Sequence, residues 1–360
     1  MADLLQYKCP NCGGSIEWNA SVQKMKCPYC DTEFELETLR QLDEELGSEK
    51  PEDMDWGNKP DSEWDESETE GMNVYVCQSC GGEVVGDETL AATTCPYCGN
   101  PVVMKGKFAG GLKPELVIPF SKTKEDAKAA YLKHLEGKPL LPKVFKDQNH
   151  IDEIKGMYVP VWLFNADLDA DMNFNATKVR HWEDANYRYT ETSHFKAIRS
   201  GRMSFGNIPV DGSKKMPDEL MESIEPYNAS EAQPFQTSYL SGYLADRYDE
   251  DASAREARAN ERIKRSAETA FARTVTGYST VDLAGESIRL FNNSYKYALY
   301  PAWILSTHWN DQNFTFIMNG QTGKMAGDLP MDKGKFGLYF AISFVIGFVI
   351  ALLVMMLTNG

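Results

Sequence analysis

Beyond Cys98 the chain has no cysteine, and beyond Lys335 it has no charged side chain. The first absence leaves most of the chain without disulfide or thiolate chemistry. Met1–Cys9 also lacks the apolar run of a secretory signal. All eight cysteines are therefore expected in a reducing cytoplasm, where clustered thiols indicate metal or redox chemistry rather than structural disulfides. Histidine is scarce: the five present (His134, His150, His181, His194, His308) form no spaced cluster. No nucleophile elbow, phosphate loop, HExxH or paired-carboxylate motif occurs, and no enzymatic activity is expected. Basic residues are scarce at the N-terminal end. Residues 1–110 hold 22 Asp/Glu against 8 Lys/Arg, while residues 111–360 hold 31 against 29. An excess of acid is unfavourable for contact with a phosphate backbone.

What is present is a duplication. Tyr7-Lys-Cys-Pro-Asn-Cys-Gly-Gly matches Tyr75-Val-Cys-Gln-Ser-Cys-Gly-Gly, and Cys27-Pro-Tyr-Cys30 matches Cys95-Pro-Tyr-Cys98, at a constant offset of 68. Each copy reads Cys-x2-Cys, 14 residues, Cys-x2-Cys. Two intervening residues let both sulfurs of a knuckle face one point, and 14 allow a hairpin to oppose the second knuckle. Four sulfurs at ~2.3 Å then close a tetrahedral zinc site with no open coordination position. Two structural Zn2+ ions are expected, on Cys9, Cys12, Cys27 and Cys30 and on Cys77, Cys80, Cys95 and Cys98. Gly13, Gly81, Gly99 and Asp31 follow the knuckles, where turns require positive φ. Strands are expected over Ile16–Trp18, Val22–Lys26, Glu83–Val85 and Leu90–Thr94. Each copy has about 30 residues, too few for a stable apolar core, so metal is expected to supply the folding free energy. Cys-Pro-Tyr-Cys also occurs in glutaredoxins, but redox catalysis needs a knuckle at a helix N-terminus rather than a partner knuckle.

Between the copies, Gln41–Gly71 holds thirteen acids and two lysines. It is expected to be a mobile, self-repelling tether with Trp56 and Trp64 as incidental exposed aromatics or docking anchors. After Gly110-Gly111 an α+β domain is expected. Leu116–Phe120 should form a strand and Thr123 should cap a helix to about Leu135, with Gly137 and Pro139 as stops. From Trp162 to Ala176 apolar and Asp/Asn residues alternate, the mark of a long strand or hairpin with one buried face. That Asp/Asn row either faces solvent or holds a cation. Asn310-Asp311 and Asn319-Gly320 signal hairpins. Val159-Pro-Val-Trp162 and Tyr300-Pro-Ala-Trp303 form a weaker internal repeat. Tyr248–Thr274 should be a solvated helix, with Arg255, Arg258, Arg262 and Arg265 on one basic face open to solvent, anionic lipid, an acidic partner or the acidic linker.

Phe336–Leu357 is 22 residues of almost wholly apolar chain. At ~1.5 Å per residue it spans ~33 Å, enough to cross a hydrocarbon core. With Lys333 and Lys335 before it, a single-pass C-terminal anchor is expected, residues 1–335 being cytoplasmic. Ser343, Gly347 and Ala351, spaced by four, would permit helix–helix assembly. The expected layout is multidomain: ribbon 1 (1–37), acidic linker (38–72), ribbon 2 (73–108), α+β domain (109–334) and transmembrane helix (335–357).

The paired Cys-Pro-x-Cys knuckles resemble TFIIB-type zinc ribbons. The whole layout resembles a bacterial group of double-ribbon membrane proteins with a Pro-x-Trp strand, an Asn-Gly-Gln-Thr-Gly turn (here Asn319–Gly323) and one C-terminal transmembrane helix. Members of that group resemble partners of PspA-type and SPFH-type membrane-stress proteins. The resemblance implies a cell-membrane adaptor that recruits proteins at the cytoplasmic face. A membrane-tethered nucleic-acid-binding regulator is the alternative. It is disfavoured because the second copy (75–103) has three acids and no Lys or Arg.

Overall fold

The computed structural model describes residues 9, 16–19, 22–39, 54–56, 64–65, 68–87, 94–107 and 111–358. Cys12, Gly13, Gly110, residues 90–93 of an expected strand and most of the acidic segment lie outside the described residues. The strands are β1 (Glu17–Asn19), β2 (Lys24–Lys26), β3 (Glu33–Phe34), β4 (Met72–Cys77), β5 (Glu83–Asp87), β6 (Val102–Lys107), β7 (Leu116–Val117), β8 (Lys155–Glu183), β9 (Arg188–Asp211), β10 (Gln233–Pro234), β11 (Leu244–Asp246), β12 (Thr280–Trp309), β13 (Gln312–Asn319) and β14 (Met325–Gly327). The helices that bear on function are α1 (Lys124–His134), α2 (Asp218–Ser223), α3 (Ala252–Ala272) and α4 (Lys333–Thr358). Two compact units divide the chain. Unit 1 takes residues 1–58, 164–208 and 256–294; unit 2 takes 59–163, 209–255 and 295–360.

In unit 1, β1, β2 and β3 make a three-stranded antiparallel sheet. Among the described residues its core is small: Cys9, Ile16, Cys27 and Leu39, with Met25, Cys30 and Phe34 against them. The unit also holds segments of β8, β9 and β12, with β8 paired to both of the others. The alternation along β8 is as expected. Phe164, Ala166, Leu168, Ala170, Met172, Phe174 and Ala176 are all buried. On the other row, Asp167 accepts from Ser204 and Asn292, and Asp169 pairs with Arg289 at 3.1 Å, so neighbouring side chains engage that row. Helix α3 is not solvated throughout. Ala259, Ile263, Ala267 and Phe271, spaced by four, form a buried stripe. Its small alanines carry little hydropathy, so the stripe is faint in the sequence.

In unit 2 one mixed sheet runs in the order β10-β7-β12-β8-β11-β5-β4-β6. The short strand β11 pairs parallel to β8 (Leu244↔Met157, Ala245↔Tyr158) and antiparallel to β5 (Ala245↔Val85, Asp246↔Val84). Because β4, β5 and β6 belong to the second cysteine copy, that copy is joined to the main sheet. The expected boundary between residues 108 and 109 separates no compact units. Cys77, Val84, Cys95 and Tyr97 share one apolar core with Ile118, Met157, Val159, Val161 and Leu163. Burying a side chain such as Val84 contributes about 1.5–3 kcal/mol.

The local signals are met closely. The Thr123 side chain caps α1 in a reciprocal capping box with Asp126, and Leu135 ends it. Asn310 (φ 50°) and Asp311 (φ 59°) turn β12 into β13. Strand β7 stops at Val117 instead of Phe120, because Pro119 has no N–H to donate. In the Asn319–Gly323 turn, buried Asn319 accepts from the Gln321 and Thr322 N–H groups and donates to the Ile224 carbonyl. A Cβ on Gly320 would lie 2.7 Å from Phe120 and 2.8 Å from Pro301, so only glycine fits there.

The tryptophans of the acidic segment are not incidental exposed aromatics. Trp56 is buried and meets Phe164 edge-on in unit 1. In unit 2, half-buried Trp64 meets Phe235 edge-on. A solitary aromatic in a polar stretch has no periodicity, so the sequence could not show what it packs against.

Candidate metal centres

Three knuckles are described, and all three fold alike. The Cys27 N–H donates to the Thr32 carbonyl and the Cys27 carbonyl accepts from Asp31; the same pair of bonds joins Cys77 to Gly82 and Gly81, and Cys95 to Asn100 and Gly99. The fifth residue of each turn has positive φ: Asp31 at 56°, Gly81 at 71° and Gly99 at 73°. These turns aim the backbone N–H groups inward and bring sulfurs together.

In the second centre the Sγ atoms of Cys77, Cys80, Cys95 and Cys98 all lie within 4.8 Å of one another. Cys77 and Cys98 are 3.5 Å apart, and Cys80 and Cys95 are 3.6 Å apart. In the first centre Cys9, Cys27 and Cys30 meet the same limit, with Cys9 and Cys30 3.6 Å apart. Cys12, the expected fourth ligand, lies outside the described residues. None of the seven described cysteines is in a disulfide. A tetrahedron of sulfurs ~2.3 Å from a central ion has edges of ~3.8 Å, so these spacings suit a metal ion.

The electrostatics agree with that. Burial pushes the Cys80 and Cys95 thiols up. At Cys77 burial also opposes the charge, but the Cys80 and Ser79 N–H groups together with the Cys98 and Cys80 thiols outweigh it and bring the thiol to about 7. The Thr32 hydroxyl brings Cys30 to about 6. Four thiolates gathered in so little space would need a cation among them, which a metal ion would supply. The two centres share a further position. Thr32 lies 3.1 Å from Cys30 Sγ through its hydroxyl, and Asn100 donates to Cys98 Sγ at 3.4 Å. These two residues are also related by the offset of 68.

Sequence reasoning missed the cations beside the second centre. Lys155 donates to the Thr94 carbonyl at 2.5 Å, next to Cys95. The Lys215 stem flanks Gly82 and Cys80, and its ammonium pairs with Asp249. Lys155 would there offset part of the net negative charge of four thiolates around a divalent ion, while the charge of Lys215 is balanced by Asp249. Neither lysine is near the cysteines in sequence, so spacing could not reveal them.

YdjG of Bacillus subtilis (strain 168), an uncharacterized protein, is 32% identical to this chain over 357 residues, which cover 99% of each. The chain belongs to the YdjG family. No protein-family model and no solved structure matches it.

Three other expectations meet the structure in this YdjG-family chain. The arginines of α3 are not an open basic face. Arg255 pairs with Asp218 and with Glu250 at 3.0 Å, and Arg258 and Arg265 both pair with Glu261, at 2.8 and 2.7 Å. The segment Lys333–Met356 in α4 is long and apolar enough to cross a membrane, and none of its apolar stretch is buried. Ser343, Gly347 and Ala351 lie exposed on it.

Proposed function

We propose that the chain is a single-pass membrane adaptor that holds two structural Zn2+ ions and recruits partner proteins at the cytoplasmic face of the cell membrane. The observation that carries this reading is the exposed apolar helix α4 in the same compact unit as a closed four-cysteine centre. Four sulfur ligands suit zinc, and the closed set leaves the metal a structural role. Lys333 and Lys335 at the start of α4 favour a cytoplasmic position for what precedes it. The resemblance to partners of PspA-type and SPFH-type proteins gives the partner class.

Elemental analysis of the purified full chain should give two zinc per molecule. Cys80 is the most exposed described ligand, so after zinc removal an impermeant maleimide should label it in inverted vesicles and not in intact cells. Labelling in intact cells would sink the orientation. Affinity purification from membranes should recover a PspA-type or SPFH-type protein, and Cys9→Ser or Cys77→Ser should lose it. Recovery unchanged in both variants would remove the metal centres from the docking surface.

A further inference from the structure

Buried oxygen collects at one place in unit 2. Asp211 closes β9, Asp246 closes β11, and Tyr97 sits between Cys95 and Cys98 in the last knuckle. These three residues are 7%, 3% and 7% exposed. Asp211 Oδ1 accepts the Ser213 N–H at 3.3 Å, but its Oδ2, both Asp246 carboxylate oxygens and the Tyr97 hydroxyl complete no hydrogen bond. No other buried side-chain oxygen among the described residues is left in this way. A buried polar atom without a partner calls for a reason, because folding has taken water from it. The four oxygens also face one another. The Tyr97 and Ser213 hydroxyls act on the Asp246 carboxylate, and the Asp246 charge is felt at Asp211.

The bases nearby are matched by other acids. Lys215 pairs with Asp249, Lys214 with Glu250 at 3.7 Å, and Arg255 with Asp218 and, at 3.0 Å, with Glu250. Asp211 and Asp246 are left as two negative charges with no ion-pair partner of their own. Two carboxylates stay together in so dry a place only if a proton or a cation joins them. A shared proton links two oxygens and strands the other two. A cation engages all four at once, and a double positive charge matches the pair. Oxygen donors alone select hard ions (Mg2+, Mn2+ or Ca2+), whereas zinc prefers the sulfurs of the cysteine centre beside Tyr97. We propose that Asp211, Asp246, Tyr97 and Ser213 form a site for one hard divalent cation, separate from both cysteine centres and independent of the adaptor reading. The ion would tie the ends of β9 and β11 to the knuckle that carries Tyr97. Since β11 joins the second cysteine copy to β8, the ion would fix that joint.

Titration of the zinc-loaded full chain with Mn2+ in detergent tests this, binding being read as loss of the free-ion paramagnetic resonance signal. The wild type should take up one Mn2+ that the double variant Asp211→Asn with Asp246→Asn binds at least about tenfold more weakly. Exposed acids elsewhere are the same in both chains and cancel in the comparison. Mg2+ and Ca2+ should each displace the bound Mn2+, and the one effective at lower concentration has the size the site prefers. Tyr97→Phe removes one oxygen and no cysteine, and should weaken Mn2+ binding about fivefold at unchanged zinc content. Zinc content and the unfolding midpoint without Mn2+ report whether each variant is folded. If the double variant does not fold, Tyr97→Phe and Ser213→Ala carry the same comparison. Equal Mn2+ uptake by the wild type and the folded variants overturns the proposal. So does a wild type with no Mn2+ site tighter than ~1 mM, since the two carboxyls then hold only a proton or water. Neither result bears on the adaptor reading.

Discussion

The two copies of the cysteine repeat share spacing, knuckle turns and even a hydrogen-bonding residue beside the last sulfur, yet they are stabilised from different sources. Among the described residues, the first copy closes its own three-stranded sheet over a core of four buried residues, two of them cysteines. The second lends β5 to β11 and buries Val84 and Tyr97 in the core of a much larger unit. Equal ligand sets thus do not mean equal dependence on metal. Where the surrounding core is small, a bound ion would supply the folding free energy; where the strands are paired on a large sheet, it would fix the knuckles.

Removing the metal should separate the two most sharply. A strong chelator should abolish amide-exchange protection over residues 16–39, a loss on the scale of the ~10–16 kcal/mol that metal supplies to such small modules. Residues 72–77 and 83–87 should keep most of theirs. Equal loss in both copies would end the distinction. Single-ligand changes come next. Cys77→Ser should lower unit 2 stability by roughly 4 kcal/mol, while Cys27→Ser should leave the unit 2 denaturation midpoint where it was.

A third effect depends on pH and concerns only the second copy. Burial raises the Asp246 carboxyl to about 6, against the pull of the Tyr97 and Ser213 hydroxyls and of Lys215. A folded-state value above the unfolded ~3.9 means the native state holds the proton more tightly. That contribution is full below about pH 4 and is lost as pH rises through 6. Asp246→Asn should reduce the decline, to which the buried Asp211 carboxyl, also raised by burial and by Asp246, contributes as well; the gain over wild type should be at most about 3 kcal/mol at pH 7.5 and far less at pH 4.5, in denaturant melts of unit 2. The smallest contrast is in the turns. Gly81→Ala should cost about 1 kcal/mol at φ 71°, and Asp31→Gly should be neutral or slightly stabilising at φ 56°.

Much of this was legible, for a definable reason. Cysteine spacing, the Thr123 cap, the β8 alternation and the Asn310-Asp311 turn are local patterns in which a few neighbouring residues carry the whole signal. What escaped was nonlocal. Strand β11 is three residues long, too short for any period, yet it joins the second copy to the sheet. Lys155 and Lys215 reach their centre through the fold alone. The Arg face of α3 looked open because its acidic partners include Asp218, on another helix, and Trp56 looked idle because Phe164 lies far along the chain.

Helix α4 does not hang from slack chain. Its cap residue Asp332 receives the Gly334 and Lys335 N–H groups on its carboxylate and donates its own N–H to the Leu140 carbonyl; Lys335 reaches the Leu141 carbonyl. The joint works as a clamp. With α4 in a bilayer as proposed, the Leu140–Leu141 loop becomes a depth gauge fixed at the lipid boundary. Any tilt imposed on the helix then reaches unit 2 as torque, where a slack hinge would have let it dissipate.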